Sequence, residues 1–205
     1  MDRMEGNYKK QVEMARGLFL QWDAGEIARR FDLEADGDFL YVNFFHQRHR
    51  VGRRDGVIQR QLPSGWREAG FNAHLSIFDA ICREKRGTLR GQWCTINNLG
   101  NLHHPGVGEN SLYAPYERAF DRRAEDLRRA CGEMGGEPFP VGDAGAVLPV
   151  FDFLPLVFQF WEGDEEFPPQ IRLLWDFNTL DFVRYETAWY IALYGLDRLK
   201  TLAGA

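Results

Sequence analysis

Residues 156–186 read LVFQFWEGDEEFPPQIRLLWDFNTLDFVRYE. Leu156–Trp161 is an apolar run of strand length. A tight acidic cluster follows, Glu162, Asp164, Glu165 and Glu166, closed by Pro168-Pro169. A second apolar run, Ile171–Trp175, ends on Asp176. The two runs are spaced as partners, with the acidic cluster in their connection. Asp181 and Glu186 then lead into a strongly apolar helix, from Thr179 or Asp181 to Leu202. Strand, turn, strand and helix in that order predict an antiparallel pair with a helix to cover it.

Working outward, Val147–Phe151 is a further strand. Pro149 and Pro155 mark edge positions or strand ends, because proline cannot donate to a ladder. Tyr113, Tyr116, Phe120, Ala124, Leu127, Cys131 and Met134 form one helical stripe, closed by Gly135-Gly136. Asn97–Asn110 has turn residues throughout and reads as a loop. Gly91–Ile96 is a short strand. Trp66–Lys85 reads as a helix with Phe71, Leu75, Phe78, Cys82 and His74 on one face, and Ser64 as its N-cap. Phe39–Phe45, continued by HQRHRV, faces Val57–Leu62 across a Gly52–Gly56 turn, which makes one hairpin. Tyr8, Val12, Ala15, Phe19 and Trp22 mark an amphipathic helix over 7–22. Gly25 separates it from a short helix, Glu26–Phe31. The chain shows no repeat, low-complexity tract or linker, so 1–205 reads as one domain. The expected fold class is α+β, a mostly antiparallel sheet of hairpins packed against several amphipathic helices. A doubly wound sheet would show regular βαβ alternation instead.

The composition fits that class. A chain of 205 residues can bury a real core, and 14% aromatic content puts Phe and Trp at its centre. The net charge of −5 is unevenly spread. Residues 1–130 carry 21 basic and 18 acidic side chains, whereas residues 131–205 carry 4 and 12. An acidic C-terminal third is poorly suited to a phosphate backbone and better suited to cations or a basic partner. Cys82, Cys94 and Cys131 are too widely spaced for a zinc ribbon or an iron–sulfur site. They point to a reducing compartment. The polar N-terminus has no signal-peptide core, and no apolar run reaches membrane length. The expected location is cytoplasmic, without membrane contact.

Candidate chemistry centres on carboxylates. Asp176 ends a strand and Glu186 opens the next helix, so a short reversal would bring both over the sheet edge. The turn at Asp164, Glu165 and Glu166 could fold over them. On a helical wheel Glu186 lies close enough to the Phe182, Tyr185, Trp189, Ala192, Leu196 stripe to be at least half-buried. The expected pocket is lined by Trp161, Trp175, Phe177 and Tyr185, with Arg172 or Arg184 as the compensating partner. The bland reading has Asp176 capping the following turn. His46, His49 and the adjacent pair His103-His104 are weak metal-ligand candidates, and His74 reads as a hydrogen-bonded core histidine. Arg48, Arg50, Arg53, Arg54 and Arg60 lie on or near the hairpin. On an acidic chain they read as a solvated edge rather than a nucleic-acid surface. No P-loop, GxSxG or GxGxxG is present, and Cys94 reads as packed and inert.

The pattern at 161–186 is similar to a bacterial and archaeal family, domain of unknown function 3786. There an apolar strand ends in Trp, an acidic D-E-E-F-P turn follows, then an LL-x-D strand and a glutamate opening the last helix. Here these are Trp161, Asp164-Glu165-Glu166-Phe167-Pro168, Leu173-Leu174-Trp175-Asp176 and Glu186. The helix around His74, the Gly91-Gln92-Trp93 strand and the Gly135-Gly136 helix end also resemble it, so the likeness spans nearly the whole chain. The family has no established activity. Some members carry an added cysteine-rich segment of iron–sulfur type, which implies that any redox or cofactor role here would act through a partner. The expected function is a non-catalytic binding or accessory module for a partner protein or a small cofactor. The alternative is an enzyme that uses Asp176 and Glu186 with a divalent cation. Cofactor and metal identity stay open, and nucleic acid is not expected as a partner.

Overall fold

The computed structural model describes residues 3–101 and 109–205. His103 and His104 lie outside the described residues. The chain opens with two helices, α1 (Arg3–Phe19) and α2 (Ala24–Phe31). Asp23 caps α2 by accepting the Glu26 N–H at 2.7 Å. A four-stranded antiparallel meander follows, β1 (Phe39–Phe44), β2 (Gln47–Gly52), β3 (Ile58–Leu62) and β4 (Gly65–Glu68). Helix α3 (Phe71–Ile81), the short β5 (Trp93–Cys94), α4 (Glu109–Phe120) and α5 (Ala124–Glu133) come next. The chain ends with β6 (Glu137–Pro138), β7 (Ala144–Phe151), β8 (Leu154–Trp161), β9 (Gln170–Asp176) and α6 (Tyr185–Ala203). The second sheet is antiparallel in the order β5-β9-β8-β7-β6. The α+β class is therefore observed, with two antiparallel sheets in place of one.

The region around β8 and β9 matches the expectation closely. Leu156 pairs with Trp175 and Trp161 with Gln170, with the acidic turn between the strands. Pro149 and Pro155 face each other across β7 and β8, beyond the last pairs that β6 and β9 make there. Their missing N–H groups therefore interrupt no neighbouring ladder.

Three local expectations change. The expected single hairpin is a four-stranded meander, because the chain reverses twice more. The first reversal is a two-residue turn at Phe45-His46, both left-handed (φ 49° and 58°). Such turns favour Asn and Gly, so no turn chemistry announced this one. The second runs through Pro63-Ser64, so Ser64 sits in a β-turn and Trp66 on strand β4. Helix α3 then starts only at Phe71, after Gly70. The third change splits the expected long helix into α4 and α5. Arg122 (φ 60°) breaks the helix, yet Phe120, Ala124, Leu127, Cys131 and Met134 all remain buried. Gly135 is left-handed (φ 72°), and the Gly136 N–H returns to the Cys131 carbonyl at 2.8 Å, closing α5 as expected.

One apolar core runs through both sheets. The Phe45 N–H donates to the Val150 carbonyl at 2.9 Å, and Phe44 stacks on Phe151 at 5.0 Å. These contacts tie the β1–β2 turn to β7. Helix α3 packs against both α1 and α6. That three-helix layer positions the candidate site.

Candidate functional site

Asp79, near the C-terminal end of α3, has a side chain only 11% exposed. It accepts the Arg184 backbone N–H at 2.6 Å and so caps α6 from another helix. Its carboxylate also pairs with Arg83 at 3.6 Å and with the Arg184 guanidinium at 3.5 Å. Two concavities meet at this residue and share Trp22, Asp79, Cys82 and Arg184. One, of about 620 Å³, is also lined by Arg83, Leu180 and Tyr185. The other, of about 520 Å³, is also lined by Leu18, Leu75, Phe78, Glu186 and Tyr190. Each is large enough for a small ligand or for several side chains of a partner. Burial, with the Asp79 charge beside it, pushes the Cys82 thiol up to about 12. At neutral pH it is a packed thiol, not a nucleophile.

The expected site residues fall in three places. Tyr185 and Glu186 line the two concavities, on the first turn of α6. Glu186 is exposed rather than half-buried, because Thr187 and Ala188 are the residues of the first turn of α6 that face the core. Asp176 is buried with 2% exposure, at the far end of β9. Its Oδ1 accepts N–H groups from Arg90 and Asn178, both at 2.9 Å. Its Oδ2 accepts the Gly91 N–H at 2.7 Å. Asp176 thus holds the 88–92 segment and the turn after β9, and backbone amides take the place expected for Arg172 or Arg184. Arg172 instead lies over the Trp161 ring at 5.4 Å.

Trp161 and the acidic turn form the third group. The β8–β9 register sets Trp161 five residues from the Leu156–Trp175 pair, roughly 17 Å along the strand. Trp161 and Trp175 therefore lie at opposite ends of the ladder, and Trp175 is fully enclosed. The acidic turn docks on the corner between α4 and α5. Glu162 Oε1 accepts the Ala124 N–H at 3.0 Å, and the Gly163 N–H donates to Asp121 at 3.0 Å. Asp164 Oδ1 accepts the Glu166 and Phe167 amides at 2.8 and 2.7 Å. These bonds, Phe167 first, hold the Asp164 carboxyl below its ordinary range. Glu165 and Glu166 are exposed.

The family described as Domain of unknown function (DUF3786) matches residues 23–196, which span every element from α2 to the middle of α6. The chain belongs to this family. No curated protein and no solved structure matches it. In this DUF3786 chain, sequence reasoning missed Asp79 and Arg83 among the groove's central residues, placed Trp22 only on a helix stripe, and named Arg184 only as a partner for Asp176 or Glu186. These residues come from three separate stretches, and no spacing signals a meeting that helix packing alone creates. His74 is buried as expected, with Nδ1 3.1 Å from the Gly70 carbonyl. The hairpin arginines are less solvated than expected. Arg50 lies over Phe39 at 4.1 Å and over Trp66 at 4.4 Å, and Arg48 lies over Tyr41 and pairs with Glu34 at 2.7 Å. Among the described residues no helix is long and apolar enough to cross a membrane.

Proposed function

We propose that this chain is a non-catalytic binding module that seats an apolar segment of a partner protein in the α1–α3–α6 groove. The carrying observation is the paired concavity at Asp79. Its walls combine Trp22, Phe78 and Tyr190 with the largely enclosed Asp79, and charged Arg184 and Glu186 stand at the rim. The outer face of α1 extends it with exposed Met14 and Leu18, 63% and 52% exposed. An amphipathic helix laid into such a groove would bury its apolar face and meet charges of both signs. A small cofactor is the second occupant this site could take. Another concavity, of about 920 Å³, runs beside β9. There Glu117 on α4 accepts the Ile171 N–H at 3.0 Å and so covers part of the strand edge.

The divalent-cation enzyme has less support. Both oxygens of Asp176 are taken by backbone amides. Among the described residues no three of His, Cys, Asp and Glu gather as a metal-ligand set. The cytoplasmic reading rests on three free thiols, Cys82, Cys94 and Cys131.

The test is NMR mapping on isotope-labelled protein, titrated with small aromatic fragments and with amphipathic helical peptides. Shifts are expected to concentrate on Leu18, the Trp22 indole and Tyr190, and to disappear in a Leu18→Asp variant. Shifts scattered over the surface, or centred on the β9 edge, would remove this reading.

A further inference from the structure

A further concavity, of about 450 Å³, lies where the first turns of α1 meet the start of α3 and the end of β4. Among the described residues it shares none of its lining with the α1–α3–α6 groove. Tyr8 and Phe71 form an aromatic wall, their ring centroids 4.5 Å apart. Phe71 is held in turn by Tyr190, edge to face at 5.4 Å. Val12 and Ala69 complete the apolar lining. Tyr8 is 47% exposed, and Phe71 and Val12 are half-buried, so the wall keeps surface for a ligand. Farther along α1, Arg16 Nε donates to the Asp55 carbonyl, and Phe19 packs on Phe78 at 5.2 Å. These contacts hold the helix over α3.

His74 supplies the polar atom. It is 4% exposed, and it lines this concavity. Its Nδ1 lies 3.1 Å from the Gly70 carbonyl. A carbonyl can only accept, so Nδ1 carries the proton and Nε2 is a bare acceptor. Burial holds His74 below its ordinary range, outweighing the Gly70 hydrogen bond and the Glu68 charge, so the ring is neutral at pH 7. Nε2 has no partner among the described residues, yet it is not one of the enclosed side-chain atoms. It therefore keeps open surface, and the space that His74 lines is this concavity. A ligand donor placed there would satisfy it.

The charges around the site cancel. Lys9 and Arg16 on α1 are positive, and Glu13 on α1 and Glu68 at the end of β4 are negative. Glu13 already pairs with Arg16 at 3.4 Å. Two cations against two carboxylates favour neither an anion nor a cation. A mostly apolar wall with one placed acceptor selects for shape and for a single donor.

We propose that this concavity binds a small neutral aromatic molecule carrying one N–H or O–H donor, as in an indole or a phenol. The ring lies against Tyr8 and Phe71, and the donor meets His74 Nε2. The site is independent of the α1–α3–α6 groove, and its failure would leave the partner-binding reading intact.

Nitrogen NMR of the histidine rings, recorded on the full chain at about pH 7.5 during titration with indole, tests it. A saturable shift of His74 Nε2 is expected below about 10 mM indole. 1-Methylindole keeps the ring and lacks the donor, and it should bind at least about fivefold more weakly. Tyr8→Ala removes an exposed wall residue and should weaken indole by about fivefold. The His74 response should persist in Leu18→Asp, which alters only the groove. Four results overturn the proposal. They are an unmoved Nε2, equal affinity for indole and 1-methylindole, a tenfold preference for tryptamine or indole-3-acetate over indole, and loss of the response in Leu18→Asp. The last would put the ring in the groove instead. Should Tyr8→Ala fail to fold, the comparison of indole with 1-methylindole on the wild-type chain decides alone.

Discussion

Asp176 spends both carboxylate oxygens on the amides of Arg90, Gly91 and Asn178, while Glu186 stands in solvent on another element. Their energetic roles therefore separate. Asp176→Asn should lower stability by about 2 kcal/mol, because an amide NH₂ cannot accept where N–H groups converge and the donors are left buried. Glu186→Gln should stay within about 0.5 kcal/mol of the parent. The double variant should be additive within about 0.5 kcal/mol. Denaturant titration of the three variants measures this, and a large coupling would mean the two carboxylates share a network after all. The sequence reading held both roles open for Asp176, cap and ligand, and the amide contacts favour the cap. Which amides would converge was illegible, since Arg90 and Gly91 lie more than eighty residues upstream.

Turn Phe45-His46 shows how an element can form against its local chemistry. Two non-glycine residues in left-handed conformation carry strain of about 1 kcal/mol or more each. Phe45 is fully buried, and its ring lies where a side chain on Gly195 would point: a Cβ there would meet Phe45 Cζ at 2.8 Å. A Cβ on Gly135 would similarly meet His46 Cγ at 2.7 Å. Burial of the aromatic ring against α6 offsets the strain. Gly195 sits inside helix α6, where Gly→Ala ordinarily stabilises by about 0.5–1 kcal/mol. Here the sign should reverse. Gly195→Ala is expected to destabilise by about 1–3 kcal/mol through overpacking against Phe45. A melt showing a stabilised Gly195→Ala variant would mean the turn does not seat on α6. The split between α4 and α5 has the same lesson from the other side. The stripe from Tyr113 to Met134 predicted burial correctly, since the break at Arg122 leaves the stripe's apolar residues facing the core.

Both sheets share one apolar core, joined through Phe44, Phe45, Val150 and Phe151. Unfolding should therefore be one cooperative transition. Far-ultraviolet circular dichroism, which follows helices and strands, and near-ultraviolet signals from buried aromatics should share a single midpoint. Two separated midpoints would mean that the meander and the second sheet fold as separate units. The sequence by itself determined the class, the β8–acidic turn–β9–α6 order, the buried stripes and the family. These rest on periodicity, apolar runs and proline or glycine punctuation, which are local and survive any arrangement of neighbours. Only the tertiary structure decided the Phe45-His46 reversal, the convergence of the Arg90 and Gly91 amides on Asp176, and the meeting of Asp79 with Arg184. It alone also brought Tyr8 of α1 to Phe71 of α3. Each of these depends on contacts between residues far apart in the chain, where packing energy outweighs local preference and leaves no pattern in the intervening residues.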